Sequence, residues 1–250
     1  MKAIAITTSF FQPGEDLFAF LQKHLPVLEE ESIVIITSKI ISFSQNRFVK
    51  AETHSREEKH ALAQKEADWY LDPSSSKYNL LLTIKDSTFA VNAGIDESNS
   101  GGKYLLWPEN LQQATNDIWQ FLRETYGVKK LGVIVTDSKT VPLRWGVTGT
   151  AIAHCGFFGL INKIGEEDIF GKKLEMTQIN VPEAIAIAGV FEMGEGNEQR
   201  PLAVVTDFHQ PIEFQDHPPT EEELKSLVIP LEDDVYAPVL MSVPWKKGGK

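Results

Sequence analysis

Two short segments hold the residue types that could do chemistry: Val91-Asn92-Ala93-Gly94-Ile95-Asp96-Glu97-Ser98-Asn99 and Val135-Thr136-Asp137-Ser138. Each follows an apolar, strand-like run and sets a carboxylate among small polar residues. Paired carboxylates suit a hard divalent ion such as magnesium or manganese, which takes oxygen ligands and keeps positions for water and phosphate. Ser138 can add a hydroxyl oxygen. Glu195, in Met193-Gly194-Glu195-Gly196-Asn197, can add a third carboxylate. The plainer alternative is that Asp96 and Asp137 organise turns by bonding their own backbone.

A phosphate bound beside these carboxylates needs fixed positive charge. Lys39 follows the apolar run Ser32 to Ser38 and can reach a phosphate as a point charge. Arg47 and Arg144 are the other candidates. Arg144 lies between a stiff Pro142 and a permissive Gly146; it could fork onto a carboxylate or phosphate, or simply stack on Trp145. Gly194-Glu195-Gly196 is not a P-loop, because no Gly-Lys-Ser or Gly-Lys-Thr follows. His154 and Cys155 are adjacent in an apolar stretch, which favours a buried structural thiol over a nucleophile.

The elements that must position these residues are readable from periodicity. Lys2 to Thr8, Ser32 to Ser38, Leu80 to Thr83, Phe89 to Val91, Leu131 to Val135 and Pro201 to Thr206 read as strands. Glu109 to Tyr126 is an amphipathic helix, with Leu111, Ala114, Ile118, Trp119, Leu122 and Tyr126 at helical spacing. Leu17 to Leu25 and the charged Ser55 to Leu71 are also helical. Asn180-Val181-Pro182-Glu183 is a helix start with a capping box, opening an apolar helix to Met193. Thr220 caps a short late helix. Strands and helices alternate irregularly, so the expected class is mixed α and β, an α+β fold.

Composition sets the outer bounds. The chain has 250 residues, 42% hydrophobic and 24% charged, an ordinary soluble composition. Its length fits one domain over 1–250, or two closely packed subdomains. The tail Lys246 to Lys250 is expected to fray. One cysteine, Cys155, leaves no internal disulfide. Met1 to Thr8 reads as a strand rather than an export signal, and no apolar run could span a bilayer. A cytoplasmic location, away from membranes, is expected. The net charge of −11, with no basic face, argues against nucleic acid.

Taken together, these segments resemble the coenzyme F420-0:L-glutamate ligase family, the CofE-type γ-glutamyl ligases, from about Thr7 to Phe208. The Ala-Asn-Ala-Gly-Ile-Asp-x-Ser-Asn signature is nearly intact at Val91 to Asn99. Lys39-Ile40-Ile41-Ser42 looks like the family's Lys-Ile-Val-Ser, and Asp137-Ser138 like its Asp-Thr. Asp168, Gly171, Leu174 and Thr177 follow a further run, and Met193-Gly194-Glu195 the late loop. The resemblance implies the CofE-like fold as an intertwined homodimer, with grooved active sites near the subunit interface. It implies GTP, or ATP, as co-substrate, and one or two divalent ions, magnesium or manganese, on Asp96, Asp137, Ser138 and Glu195. Nucleotide contacts would come from Ser9, Phe10, Phe11, Gln12, Ser38, Lys39 and Asn99, and fixed charge for the reaction from Lys39 and Arg144.

Two departures bear on the acceptor that would receive L-glutamate. A family lysine is Phe43 here, and a family arginine is Val141. Fewer cations suit a folate acceptor, which lacks the phosphodiester of F420-0. The rival expectation is a non-catalytic homologue that binds a nucleotide or a pterin-like ligand.

Overall fold

The computed structural model describes residues 1–250. The strands are β1 (Lys2–Ile6), β2 (Ser32–Thr37), β3 (Phe48–Lys50), β4 (Trp69–Tyr70), β5 (Leu82–Lys85), β6 (Thr88–Val91), β7 (Lys103–Leu105), β8 (Leu131–Thr140), β9 (Val147–Cys155), β10 (Leu160–Asn162), β11 (Gln178–Asn180), β12 (Leu202–Thr206) and β13 (Lys246–Lys247). The helices are α1 (Leu17–His24), α2 (Ser38–Ser44), α3 (Arg56–Glu66), α4 (Leu111–Tyr126), α5 (Val181–Met193), α6 (Glu221–Ser226) and α7 (Ala237–Leu240). The class is mixed α and β, as the irregular alternation predicts.

The central sheet runs β1-β12-β2-β8-β9. Only β2 and β8 pair in parallel; the other neighbours are antiparallel. β2 is buried on both faces because its side chains alternate between two cores. Val34 and Ile36 face one with α1, α2 and α4, where Phe20, Leu21, Ile41, Ile118 and Leu122 pack. Ile33 and Ile35 face the other, with Ile185, Ala186 and Met193 of α5. Helix α5 lies very close to this sheet. A side-chain carbon added at Gly189 would come within 2.0 Å of Ile35 Cδ1, so glycine there sets the packing distance.

A smaller sheet, β13-β4-β5-β6, and a β3–β7 ribbon stand beside the central one. With α3 they enclose a third core of Ala63, Ala67, Leu81, Ala93, Ile95, Tyr104 and Leu106. This core carries the Val91 to Asn99 signature.

Several boundaries differ from the sequence expectation, each for a local reason. The Ser55 to Leu71 helix stops at Glu66, because Trp69–Tyr70 pairs with β5 instead. β2 ends at Thr37, and Ser38 opens α2. β8 does not stop before Asp137; after an irregularity at Val135/Thr136 it continues to Thr140 because β9 supplies a ladder, with Asp137 opposite Thr150. Only half of the α5 capping box forms. Asn180 accepts from the Glu183 N–H, while the Glu183 carboxylate binds Lys139 Nζ and Thr150 Oγ1.

The tail expected to fray, Lys246 to Lys250, is docked. Lys246 and Lys247 pair with β4. The N–H groups of Gly249 and Lys250 reach the carbonyls of Gln64 and Ala67. These lie at the end of α3, where a helix leaves carbonyls without partners. No helix is long and apolar enough to cross a membrane.

Candidate functional site

Five separate segments, the signature loop and four others, meet at a cleft of about 420 Å³, within the range of small-molecule sites. The four are the Thr8 to Phe11 loop, the start of α2, the β8 stretch Thr136 to Ser138, and the loop from Met193 to Pro201. The signature loop contributes Asn99 and Gly101 to the same wall.

The signature loop is held in an uncommon backbone conformation. Asn92, Ala93 and Gly94 are all left-handed, with φ of 52°, 53° and 72°. Left-handed non-glycine residues are costly unless their surroundings fix them. Here the Asn92 side chain accepts the Leu81 N–H, and Thr83 Oγ1 accepts the Ala93 N–H. Asp96 then exchanges backbone bonds with Leu105 at 3.0 and 2.8 Å. Its side chain receives Lys39 Nζ at 2.7 Å and the Ser98 N–H and hydroxyl. Burial alone would raise the Asp96 carboxyl, but the Lys39 ammonium and Ser98 outweigh it and hold the group below its ordinary value.

Asp137 is in the opposite situation. Burial dominates and, with the Asp96 charge added, pushes its carboxyl up to about 6, against bonds from Trp107 and the Ser138 backbone and the attraction of Lys39. Asp137 keeps some accessible surface at the cleft wall, yet it is deeply packed and has no ion-pair partner of its own. Ser138 Oγ donates to both oxygens of Glu195, at 2.9 and 2.7 Å. Asn99 Nδ2 donates to the Gly196 carbonyl at 2.9 Å, tying the signature loop to the loop after α5.

No three acidic, histidine or cysteine side chains converge tightly enough to cage an ion as they stand. The donors are nonetheless all oxygen, and a buried, weakly compensated carboxylate beside a second one is a setting that a hard cation suits.

Of the residues singled out in sequence, Ser9, Phe10, Phe11, Lys39, Asn99, Asp137, Ser138 and Glu195 line the cleft. Asp96 joins them through Lys39. Ser38 is buried, and Gln12 is exposed with its N–H on Glu15; neither faces the cleft. Arg144 is not brought to it either. The β8–β9 ladder carries the intervening turn outward, and the Arg144 guanidinium there bonds only the Leu143 carbonyl. Arg47 is committed to the two oxygens of Glu66. Cys155 is inert, its thiol pushed up to about 12 by burial.

Two residues not singled out in sequence belong to the site. Arg200 lines the cleft opposite Lys39's segment, donating to the Glu192 carbonyl. Trp107 donates its indole N–H to Asp137. Trp107 meets Asp137 thirty residues along the chain, and Arg200 reaches the cleft only through the fold of the loop after α5, so no local pattern marks either. The cleft also has an apolar part, formed by Phe10, Phe11, Ile40, Phe43, Val190 and Met193.

A sequence model described as F420-0:Gamma-glutamyl ligase matches residues 5–207. The chain belongs to this family. Among its relatives is the coenzyme F420:L-glutamate ligase of Methanosarcina barkeri, 33% identical over 220 residues, covering 83% of this chain and 86% of that one. The protein of the same name from Haloarcula marismortui is 32% identical over 229 residues, covering 84% and 87%. That of Methanococcus maripaludis strain C7 is 28% identical over 249 residues, covering 94% and 97%. The resemblance carried by Val91 to Asn99 is therefore borne out along most of the chain. As a member of the F420-0:γ-glutamyl ligase family, the chain is an acid–amino-acid ligase. Every cleft-lining residue falls within the matched span.

Proposed function

We propose that this γ-glutamyl ligase joins L-glutamate to a carboxylate acceptor, an F420-0-like molecule or a folate, at the expense of GTP or ATP and with magnesium or manganese. The observation that carries the reading is the convergence of Asp96, Lys39, Asp137 and the Ser138–Glu195 pair on one cleft. Segments far apart in the chain supply alternating negative and positive groups there, as a metal–polyphosphate complex requires.

In this reading an oxygen of the acceptor carboxylate attacks the nucleotide γ-phosphorus, and the nucleoside diphosphate leaves. The glutamate amine then attacks the acyl carbon, releases phosphate and gives up a proton as the amide forms. The ion, held by Asp96, Asp137 and Glu195 with Ser138, would neutralise phosphate charge. Lys39 and Arg200 supply fixed positive charge from the protein. Lys39 would exchange part of its contact with Asp96 for phosphate. Asn99 ties the two loops together, and the phenylalanine-lined part of the cleft offers apolar surface for an aromatic acceptor. Positioning and charge neutralisation are what such a reaction asks of a protein.

Phe43 supports the folate side of this proposal. Where the family resemblance expects a lysine, this cleft has an aromatic wall beside Phe10 and Phe11, which suits a less anionic acceptor. The same substitution supports the rival reading, a homologue that binds nucleotide or pterin without turnover. A second copy of the chain completes the proposal. Leu143 and Trp145 at the β8–β9 turn and Phe191 on α5 are almost fully exposed, and a homodimer would cover them.

The test is glutamate-dependent phosphate release with manganese or magnesium, crossing GTP and ATP against F420-0 and tetrahydrofolate monoglutamate, with mass analysis of products. A gain of one glutamyl unit on one acceptor is the expected result. Nucleotide binding with no turnover in any combination would favour the non-catalytic homologue.

A further inference from the structure

We propose that Trp107 is a positioning residue of this ligase, fixing the Asp137 carboxylate for its ion with Lys85 stationed behind the indole. The inference rests on the reading of Asp137 as a metal ligand.

Three independent features of the fold serve this contact. The indole N–H of Trp107 donates to Asp137 Oδ2, while the Ser138 backbone N–H donates to Oδ1 at 2.8 Å. Each carboxylate oxygen is thus pinned by one donor and keeps a lone pair. Trp107 is itself only 4% exposed, so its N–H has no water to turn to, and losing Asp137 would orphan it. The glycine of the signature makes the approach possible. A side-chain carbon built on Gly94 would lie 2.1 Å from Trp107 Nε1 and 2.3 Å from Cε2. The left-handed turn of the signature therefore serves the indole as well as Asp96.

The third feature is Lys85. It is almost fully buried, with its ammonium 5.6 Å from the centroid of the Trp107 ring. Nζ is anchored at 2.8 Å by Glu66, which also holds Arg47. A cation over an indole face is attracted to it and draws on its π density. The N–H at the ring edge becomes a stronger donor toward Asp137. Groups that orient a ligating carboxylate in this way commonly change metal affinity or activity 10- to 100-fold when removed.

The experiment compares manganese binding, read from the electron paramagnetic resonance of the free ion, in the wild-type protein, Trp107→Phe and Asp137→Asn. Phenylalanine keeps an aromatic ring and removes the donor. The expected result is wild-type binding, a manganese Kd about 10- to 100-fold weaker in Trp107→Phe, and none in Asp137→Asn. The activation constant for the metal should rise in Trp107→Phe while the KM for glutamate holds. A purely structural tryptophan would lower the melting temperature and leave the Kd alone, which would overturn the inference. In the wild-type protein, the Trp107 indole N–H signal in a 15N NMR spectrum, assigned through its own backbone, should move on titration with magnesium. This arm decides the matter if the variant does not fold, and a signal that stays fixed while magnesium binds would overturn the inference. Wild-type protein that binds neither ion would overturn the metal reading itself, and this inference with it. Loss of binding in Asp137→Asn alone would overturn only the role of Trp107.

Discussion

At the scale of single residues, Asp137 sets the stability of the metal-free protein against its proposed chemistry. Its carboxyl, pushed up to about 6 by burial and by Asp96, would titrate near 3.9 in the unfolded chain. Between those values the folded state holds the proton that the unfolded state has released. Stability of the metal-free protein therefore falls as pH rises from about 4 to about 6 and stays reduced above that. Asp137→Asn removes this titration, so its metal-free stability relative to the wild type should improve by about 3 kcal/mol between pH 4 and pH 8, on top of a pH-independent cost for the one donor its amide NH2 cannot accept, as denaturant melts across pH would show. A divalent ion at a hundredfold its Kd should stabilise the wild type by about 2.7 kcal/mol and leave the asparagine variant unmoved, while turnover is lost. Arg200 is the second residue with a sharp expectation. Arg200→Met removes a cleft cation, so kcat/KM for the nucleotide should drop about 10- to 100-fold, the worth of a charge-assisted bond; an unchanged value would exclude Arg200 from phosphate binding. The carboxylates and Lys39 were legible in sequence because each follows a patterned apolar run. Trp107 was not, because Asp137 is brought to it by tertiary packing, and Arg200 was not, because its loop joins the cleft only in the folded chain.

At the scale of elements, the Glu66 ion-pair cluster fastens α3 to β5 and the start of β3, behind the signature loop. The Glu66 carboxylate takes Lys85 at 2.8 Å and Arg47 through both oxygens. Burial opposes its ionisation, yet the two cations outweigh that and hold it below its ordinary value. Glu66→Gln leaves two poorly solvated cations without their counter-charge. Such a break typically costs about 3 kcal/mol or more, and a chemical-denaturation midpoint would read it; a loss within about 0.5 kcal/mol, as at ordinary surface sites, would show that the cluster is not structural. Much of the element pattern was legible. β2 reads as buried because it is apolar throughout, α4 because its apolar residues recur along one face, and α5 because it is apolar nearly all round. What failed was pairing between elements. β8 continues past Asp137 only because β9 returns alongside it, α3 yields Trp69 and Tyr70 to a strand partner, and the glycine-rich tail is ordered by carbonyls at the end of α3. β9 is the next strand in the chain, yet neither it nor the other partners are written into the local pattern of the segment they order.

At the scale of the whole molecule, the most exposed apolar side chains lie outside the cleft lining. Leu143 and Trp145 are 96% and 94% exposed, Ile169 and Phe170 92% and 89%, and Phe191 84%. Large apolar side chains left in water are what an interaction surface offers, and the proposed homodimer assigns them to a second copy. Light scattering should give twice the 28.0 kDa chain mass, and Trp145→Asp should shift the population toward monomer while leaving the fold intact; a wild-type monomer would refute the dimer. The same geometry bears on Arg144. It sits at the outer turn of the β8–β9 hairpin and does not line the cleft of its own chain. If that turn is buried against a second copy, Arg144 can act only in the neighbouring cleft. Arg144→Met and Asp137→Asn should each be inactive alone. Unfolded together and refolded as hybrids, they should regain turnover that neither parent has, because one cleft then combines an intact Asp137 with an intact Arg144 from the other chain. Hybrids as inactive as their parents would place the two residues in a single chain's site, and full activity of Arg144→Met by itself would remove the arginine from the reaction.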